Sequence, residues 1–272
     1  MGADEPLKAV LLKQISSAAN PRYKALRKLV QSSQERRKTG LSVLDGVHLA
    51  AAYHKHVGLP RSIVVSRNGL ANPEVRALLE KMRGAEIIAI GDALFDGLSS
   101  VATPTGIVAV IETPRSRVVP QGMECCVLLE DLQDPGNLGS ILRSCAAAGV
   151  GHVVLSKGSA HAWSPRVLRA GMGAHFMLSI HEDADLIAVA RDFQGTLVAT
   201  APRAPRSVFE TELKGAVGFM FGNEGSGLGA ALLAAADTVV SIPMPGTAES
   251  LNVTAAAAVC LFERVRQLSA VG

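Results

Sequence analysis

Short apolar runs rich in valine, isoleucine and leucine alternate along the chain with longer stretches in which apolar residues recur every three or four positions. The short runs are typical of strands and the longer stretches of amphipathic helices. The predicted strands lie at 41–45, 62–66, 86–90, 106–112, 125–131, 152–156, 176–180, 196–200, 216–222 and 238–242. The predicted helices lie at 46–57, 73–82, 138–149, 165–171, 184–193 and 252–268. This alternation predicts an α/β fold with a mostly parallel sheet covered by helices.

The beginning of the chain and a break near its middle suggest how it is organised. The segment from Leu7 to about Lys38 has a helical pattern, because Leu26, Leu29 and Val30 share one face. The stretch 113–124 contains two prolines and a glycine without apolar periodicity, which is typical of a linker. We therefore predict a small α/β domain at 1–115, a linker at 116–124 and a second α/β domain at 125–272.

The two predicted domains differ in charge. Residues 1–115 carry 16 Lys and Arg against 10 Asp and Glu, whereas residues 116–272 carry 11 against 14. A basic front half joined to a mildly acidic back half indicates that the front half contacts a polyanion. The candidates for phosphate contacts are the basic residues of the first helical segment, which are Arg22, Lys24, Arg27, Lys28, Arg36, Arg37 and Lys38.

Composition narrows the classes of protein further. Hydrophobic residues make up 48% of the chain but aromatic residues only 4%, so the core is built mainly from aliphatic side chains. No apolar run reaches the roughly 18 residues that a membrane-spanning helix needs. None of the four cysteines belongs to a CxxC pair and no His/Cys cluster has zinc-ligand spacing. We therefore predict free thiols in a cytoplasmic protein without a metal.

Ligands of parallel sheets bind beyond the carboxyl ends of the strands, which directs attention to the loops near 131, 222 and 242. After the first of these loops, Asn137 is a candidate N-cap of the predicted helix at 138–149. The apolar face of that helix is predicted to be buried and consists of Leu138, Ile141, Leu142 and Cys145. Arg143 lies on the opposite face, where it either reaches a phosphate or another anion or is an ordinary solvated charge.

The second loop, 221–229, contains four glycines, which allow positive φ and a close approach of backbone to a ligand. It does not fit the dinucleotide fingerprint GxGxxG, because the third glycine position holds Ala230. Glu224 in this loop is either a functional acid or a surface turn residue. The third loop follows the strand at 238–242, and its prolines and glycine precede Ser250 and Asn252, both good helix-capping types.

Three motifs in these loops together resemble a known family. N-x-G-x-x-x-R at 137–143, G-N-E-G-x-G-L at 222–228 and I-P-M-x-G-x-x-x-S-L-N-V at 242–253 resemble the signature motifs of the SpoU (TrmH-like) RNA 2′-O-ribose methyltransferases of the knotted SPOUT superfamily. The resemblance covers 125–268. The front half resembles the family's L30e-like substrate-binding domain at 41–52 and 103–112, with Asp45 where relatives usually carry Glu.

This resemblance implies a fold, a cofactor and a reaction. The second domain would form a trefoil knot, bind S-adenosylmethionine largely through backbone groups and form a homodimer, and the reaction would be methylation of a ribose 2′-hydroxyl, most often in ribosomal RNA. The residues that match the family's cofactor contacts are Gly222, Ile242 and Leu251, with Thr200 and Ala201 from a neighbouring loop. Arg143 matches the central catalytic residue, surrounded by Asn137, Glu224, Ser250 and Asn252.

Other readings of the sequence stay open at this point. A transfer RNA methyltransferase or a catalytically inactive RNA-binding relative would carry the same motifs, and so would an enzyme that protects the ribosome from an antibiotic. An oxidoreductase on a nucleotide-binding sheet would need a glycine fingerprint after its first strand, which is absent here. The front half has few aromatic residues for reading bases, mainly Tyr23, Tyr53 and Phe95.

Overall fold

The computed structural model describes residues 12–99, 101, 103–114, 116 and 118–270. The chain forms two compact units. The first comprises the described part of Met1–Pro114 together with Trp163–Phe176, and the second the described part of Arg115–Ala162 and of Met177–Gly272. The sequence assigned all of 125–272 to one domain, so the membership of 163–176 in the first unit is a feature that only the structure reveals.

The first unit is built on a five-stranded sheet with the order β1-β4-β3-β5-β2. Its strands are β1 (Leu12–Ile15), β2 (Leu41–Asp45), β3 (Ser62–Ser66), β4 (Glu86–Ile90) and β5 (Ile107–Glu112). Its helices are α1 (Pro21–Gln31), α2 (Ser33–Thr39), α3 (Val47–His56), α4 (Arg67–Ala71), α5 (Pro73–Lys81), α6 (Asp92–Asp96) and α8 (Pro165–Gly171). Strands β1, β3 and β4 are parallel, whereas β5 runs antiparallel to β2 and β3.

The helical prediction for Leu7 to about Lys38 is wrong at 12–15, and residues 7–11 lie outside the described part of the chain. Residues 12–15 form β1 because the edge of β4 offers them a parallel partner, which a local pattern cannot show. The helical part begins where the Asn20 side chain caps α1. It divides at Ser32, whose hydroxyl accepts a hydrogen bond from the backbone N–H of Glu35 and starts α2.

Arg36 is also placed differently from the prediction, because its side chain is buried, with only 5% exposed. Its Nη1 donates to the carbonyl oxygens of Leu29, at 2.6 Å, and Val30, at 3.1 Å. It therefore satisfies carbonyls at the end of α1 and is not a phosphate contact. Several other basic residues of the segment are exposed, namely Lys24, Arg27, Lys28 and Lys38.

The candidate base-reading aromatics are core residues in the first unit. Tyr23, Tyr53 and Phe95 are all buried. The Tyr23 hydroxyl donates to the carbonyl oxygen of Leu94 at 2.9 Å, and the ring of Tyr53 packs edge-on against Phe176. None of the three is exposed for stacking on a base.

The second unit contains a seven-stranded sheet, parallel in every pairing, with the order β10-β12-β9-β11-β6-β7-β8. Its strands are β6 (Cys125–Leu129), β7 (His152–Ser156), β8 (Ser179–Ala184), β9 (Thr196–Thr200), β10 (Arg206–Ser207), β11 (Val217–Phe221) and β12 (Thr238–Ser241). Its helices are α7 (Pro135–Ala147), α9 (Leu186–Asp192), α10 (Ala230–Ala235) and α11 (Val253–Ser269). The predicted α/β class with a mostly parallel second sheet is confirmed.

The strand predicted at 176–180 begins later than expected. Residues 174–177 form a 3-10 turn, and β8 starts only at Ser179. The apolar residues before it belong to the excursion into the first unit, where His175 is buried 5.3 Å from the ring of Trp163 and Arg169 lies 3.9 Å from Asp45. Packing against the first unit therefore overrides the local strand pattern.

Two further predictions from the sequence concern the cysteines and membrane-spanning helices. All four cysteines are free and buried. Burial raises the pKa of Cys126 and of Cys260 to about 12, so these thiols stay protonated near neutral pH. Among the described residues, no helix is long and apolar enough to cross a membrane.

Candidate active site

The first loop leads into α7 through a different cap from the one predicted. The N-cap is Asp134, whose carboxylate accepts from the backbone N–H of Asn137 at 2.7 Å, and Pro135 takes the first helical position. An Asp-Pro pair before a helix is itself a start signal, which the sequence analysis missed. Asn137 lies inside α7, so its side chain is available for other partners. The apolar face predicted for α7 is buried.

The glycine-rich second loop is a closed turn. The backbones of Asn223 and Gly227 exchange hydrogen bonds of 3.0 and 2.9 Å, and Gly227 has a φ of 70°. The Asn223 side-chain oxygen accepts from the N–H groups of Gly225 and Ser226, an arrangement that the sequence analysis missed. A Cβ on Gly222 would overlap the backbone of Gly227 and Leu228, so glycine is required there for the turn itself.

One chain of hydrogen bonds joins the three sequence motifs. The Asn252 amide donates to the side-chain oxygen of Asn137 at 3.2 Å, and the Asn137 amide donates to Glu224 Oε1 at 3.1 Å. The Glu224 carboxylate also accepts from the backbone N–H groups of Asp134, at 3.0 Å, and Gln133, at 3.2 Å. Glu224 therefore holds the first loop against the second, and Asn137 links both to the start of α11.

These contacts set the ionisation of Glu224. Burial raises the pKa of its carboxyl, but the hydrogen bonds from Asn137, Asp134 and Gln133 outweigh burial and leave the pKa below its ordinary value. Glu224 is consequently an anion with a full set of donors at neutral pH. That state suits a fixed negative charge better than a group that takes up a proton during catalysis.

A cavity of about 200 Å³ opens beside this network. It is lined by every residue predicted to contact a cofactor, which are Thr200, Ala201, Gly222, Ile242 and Leu251. Two of the predicted catalytic residues, Glu224 and Ser250, line it as well. The sequence analysis did not single out further lining residues on the same strands and loops, among them Phe221, Asn223, Val240, Met244 and Val253.

The other predicted catalytic residues do not line this cavity. Asn137 and Asn252 reach it only through their hydrogen bonds towards Glu224. Arg143 is exposed on α7 and forms no ion pair with any residue that the structure describes. Among the described residues, Asn137, Glu224 and Asn252 are therefore joined by hydrogen bonds, Glu224 and Ser250 line the cavity, and Arg143 does neither.

The chemistry of the lining fits S-adenosylmethionine. Apolar side chains such as Ile242 and Leu251 suit the faces of an adenine ring, while glycine backbone and the hydroxyls of Thr200 and Ser250 offer hydrogen-bonding groups. Of the described residues in the lining, Glu224 alone has an ionisable side chain. A single negative charge complements a cofactor that carries a sulfonium and an ammonium group against one carboxylate.

A parallel α/β sheet with a glycine-loop cavity at the carboxyl ends of its strands defines the class of α/β enzymes that bind a small cofactor. Within that class, residues 124–262 match the model of the SpoU rRNA Methylase family, and residues 20–109 match the MRM3-like substrate binding domain. The chain belongs to the SpoU rRNA methylase family, as its three motifs predicted.

Relatives of known name agree with this membership. The 23S rRNA (guanosine(2553)-2′-O)-methyltransferase RlmP of Bacillus subtilis (strain 168) is 31% identical, over 92% of this chain and 98% of its own. The SpoU methyltransferase AviRb of Streptomyces viridochromogenes, solved with AdoMet, has a TM-score of 0.82 at 30% identity, covering 92% of this chain and 98% of its own. An AdoMet-bound rRNA methyltransferase from Sinorhizobium meliloti has a TM-score of 0.82 at 28% identity, covering 94% and 98%. The predicted enzyme class, an RNA 2′-O-ribose methyltransferase that uses S-adenosylmethionine, is confirmed.

Proposed function

We propose that this protein transfers the methyl group of S-adenosylmethionine to a ribose 2′-hydroxyl of ribosomal RNA. The observation that carries the proposal is the hydrogen-bonded chain Asn252–Asn137–Glu224, which joins the three family motifs beside the cavity. The names of the relatives support ribosomal RNA as the substrate.

The cavity residues would hold the cofactor, which supplies a methyl group on a positively charged sulfur. Gly222, Ile242 and Leu251 form its walls, with Thr200 and Ala201 from the loop after β9. The negative charge of Glu224 would favour binding of the cofactor with its sulfonium over binding of the product, whose sulfur is uncharged. The Ser250 hydroxyl lies in the same lining and can position the ribose or the cofactor.

Arg143 would act on the RNA. A guanidinium keeps its proton at any physiological pH, so it is a poor general base. Its planar fork suits a phosphate oxygen next to the target ribose, and its charge would stabilise negative charge that develops on the 2′-oxygen. The hydroxyl proton would then pass to water or to the nucleotide's own phosphate.

The protein would work as a homodimer of knotted units. The knot is supported by the position of β12, which lies between β9 and β10 although these two strands follow each other in the chain. The loop 201–205 therefore spans the strand that leads to α11. The dimer is supported by α11, where Phe262 is 47% exposed beside exposed Ala255, an apolar surface that a second copy would cover.

The front part of the chain, 1–115, would bind the RNA, with 116–124 as the linker to the methyltransferase domain at 125–272. This is supported by the exposed Lys24, Arg27 and Lys28, which share the outer face of α1. A role in modifying ribosomal RNA also supports the cytoplasmic location that the free thiols suggested.

The test is transfer of labelled methyl groups from S-adenosylmethionine to total RNA from a host that lacks this gene, with Arg143→Ala as the matched variant. Label in one ribosomal RNA, alkali-resistant at one position and absent with the variant, is the expected result. Label in transfer RNA alone would show that transfer RNA, and not ribosomal RNA, is the substrate. Absence of both label and cofactor binding would refute the proposal.

A further inference from the structure

The loop after β9 is a rigid turn that presents an arginine. The N–H of Ala204 donates to the carbonyl of Ala201 at 3.4 Å, which closes a turn with Pro202 and Arg203 at its centre. The Ala201 N–H donates to the carbonyl of Val240 at 2.9 Å. The Ser241 hydroxyl donates to the carbonyl of Ala204 at 2.9 Å. Both ends of the turn are thus fixed to β12, which positions the backbone of Arg203.

A second cleft adjoins the cofactor cavity at this turn. Its volume is about 660 Å³, and it shares Ala201, Pro202 and Ser250 with the cavity. Arg203 and Glu249 are the ionisable residues of its lining, and Leu233 and Val239 are apolar ones. The cleft and the cavity are therefore neighbours, and Ser250 is one of the residues that line both.

The charges near the cleft are available for a ligand. Arg203 and Arg206 are exposed, and neither forms an ion pair or a side-chain hydrogen bond with a residue that the structure describes. Two other arginines of the second unit do have partners: Arg191 pairs with Asp192 at 3.1 Å and Arg266 with Glu263 at 2.8 Å. The back half is acidic on balance, so two uncompensated arginines three residues apart form a local positive site.

We propose that this cleft binds the RNA strand at the target nucleotide, with Arg203 donating to the phosphate on the side of the methylated ribose that Arg143 does not contact. Arg206 on β10, which does not line the cleft, would donate to the next phosphate. The inference rests on the proposed function and adds a binding subsite to it. The planar guanidinium fork matches two phosphate oxygens, and the apolar floor suits the face of a base. Glu249 in the same lining disfavours a free anion, whereas its carboxylate can accept from the N–H groups of a base edge.

The experiment compares Arg203→Ala, Arg203→Lys and Arg206→Ala with Arg191→Ala, an exposed arginine outside the cleft, as the control. Binding of ribosomal RNA from the host lacking the gene is measured against salt concentration, and binding of S-adenosylhomocysteine by calorimetry. Each alanine variant at these arginines should lower the slope of log K against log salt by about one and raise the Kd for RNA about tenfold. Arg203→Lys should restore the salt slope but only part of the RNA affinity, because lysine keeps the charge and loses the fork. Cofactor affinity and the Arg191→Ala control should match the wild type.

Two outcomes would overturn the assignment. A loss of S-adenosylhomocysteine affinity with unchanged RNA binding would make Arg203 a ligand of the cofactor carboxylate, and unchanged values in both measurements would make the turn a passive surface. Failure of the proposed function is distinguishable from either, because the wild type would then transfer no methyl group to ribosomal RNA at all. If the wild type methylates RNA and the arginine variants are equally active, only the proposed subsite is ruled out and the proposed function stands.

Discussion

Single side chains hold the candidate active site in place, and Glu224 shows this most clearly. Its carboxylate accepts from two backbone N–H groups and from the Asn137 amide, so both oxygens are committed to fixing the loops. The residue lines the cofactor cavity, but the hydrogen bonds of its carboxylate are all made to protein groups. We therefore assign Glu224 a positioning and electrostatic role.

Replacing Glu224 by Gln should reduce turnover and stability together. The amide group brings hydrogens towards backbone donors, which breaks at least one bond and removes the charge. Because the folded-state pKa lies below the ordinary 4.5, the carboxylate stabilises the fold above pH 4.5, and this contribution is lost as pH falls through the lowered value. Thermal unfolding should show the variant less stable at pH 7 and the difference closing in acid. Glu210→Gln, an exposed site, is the control, and an equal gap at all pH values would contradict the assignment.

Arg36 is the second residue whose role depends on its surroundings. Arg36→Ala removes the donor to the carbonyls of Leu29 and Val30, and should lower the free energy of unfolding by about 2 kcal/mol. Urea unfolding measures the loss, with the exposed Lys38→Ala as the matched control. If both variants unfold at the same urea concentration, the buried contacts of Arg36 contribute nothing to stability.

At the scale of elements, the loops at the carboxyl ends of β6, β11 and β12 act as one unit. The Asn223 amide donates to the carbonyl of Asp131 at 2.8 Å, which adds a second link between the first two loops. Asp131 itself has a φ of 49°, a conformation that non-glycine residues seldom adopt. The conformation of each loop therefore depends on contacts with the other loops as well as on its own sequence.

Two glycines of the same turn should differ in how far replacement by alanine lowers cofactor affinity. Gly222→Ala places a methyl group on the backbone of Gly227, so the turn must open and cofactor affinity should fall at least about tenfold, or about 1.4 kcal/mol. Gly225→Ala meets only the Asn223 side-chain oxygen, at 3.5 Å, and should bind nearly as the wild type does. Calorimetry with S-adenosylhomocysteine compares the two. Equal affinities would show that the turn tolerates the added methyl group.

At the scale of the whole molecule, the proposed homodimer bears on how Arg143 meets the site. It does not line the cofactor cavity, and α11 leaves Phe262 and Ala255 exposed. A homodimer resolves both observations if each active site combines the cavity of one copy with Arg143 of the other. The enzyme would then be active only as a dimer.

Mixing two inactive variants tests this arrangement. Dimers formed from Arg143→Ala and Glu224→Ala chains would contain one site with both residues intact, so unfolding and refolding the two together should restore part of the methyl transfer activity. Refolding either variant with itself is the control and should restore none. Mixed dimers without activity, verified by mass, would place Arg143 and Glu224 in the same chain's site.

The sequence by itself determined the α/β class, most strands and the residues of the three motifs. Strands at 41–45, 62–66 and 196–200 match their predictions, because their short apolar runs suit a pleated surface buried between helices. Only the tertiary structure decided features that depend on distant contacts. β1 needs the edge of β4, Arg36 is buried by the end of α1, and 163–176 packs into the first unit. The meeting of Asn137, Glu224 and Asn252 follows from strand order, which brings residues up to 115 positions apart within hydrogen-bonding distance and which no local pattern encodes.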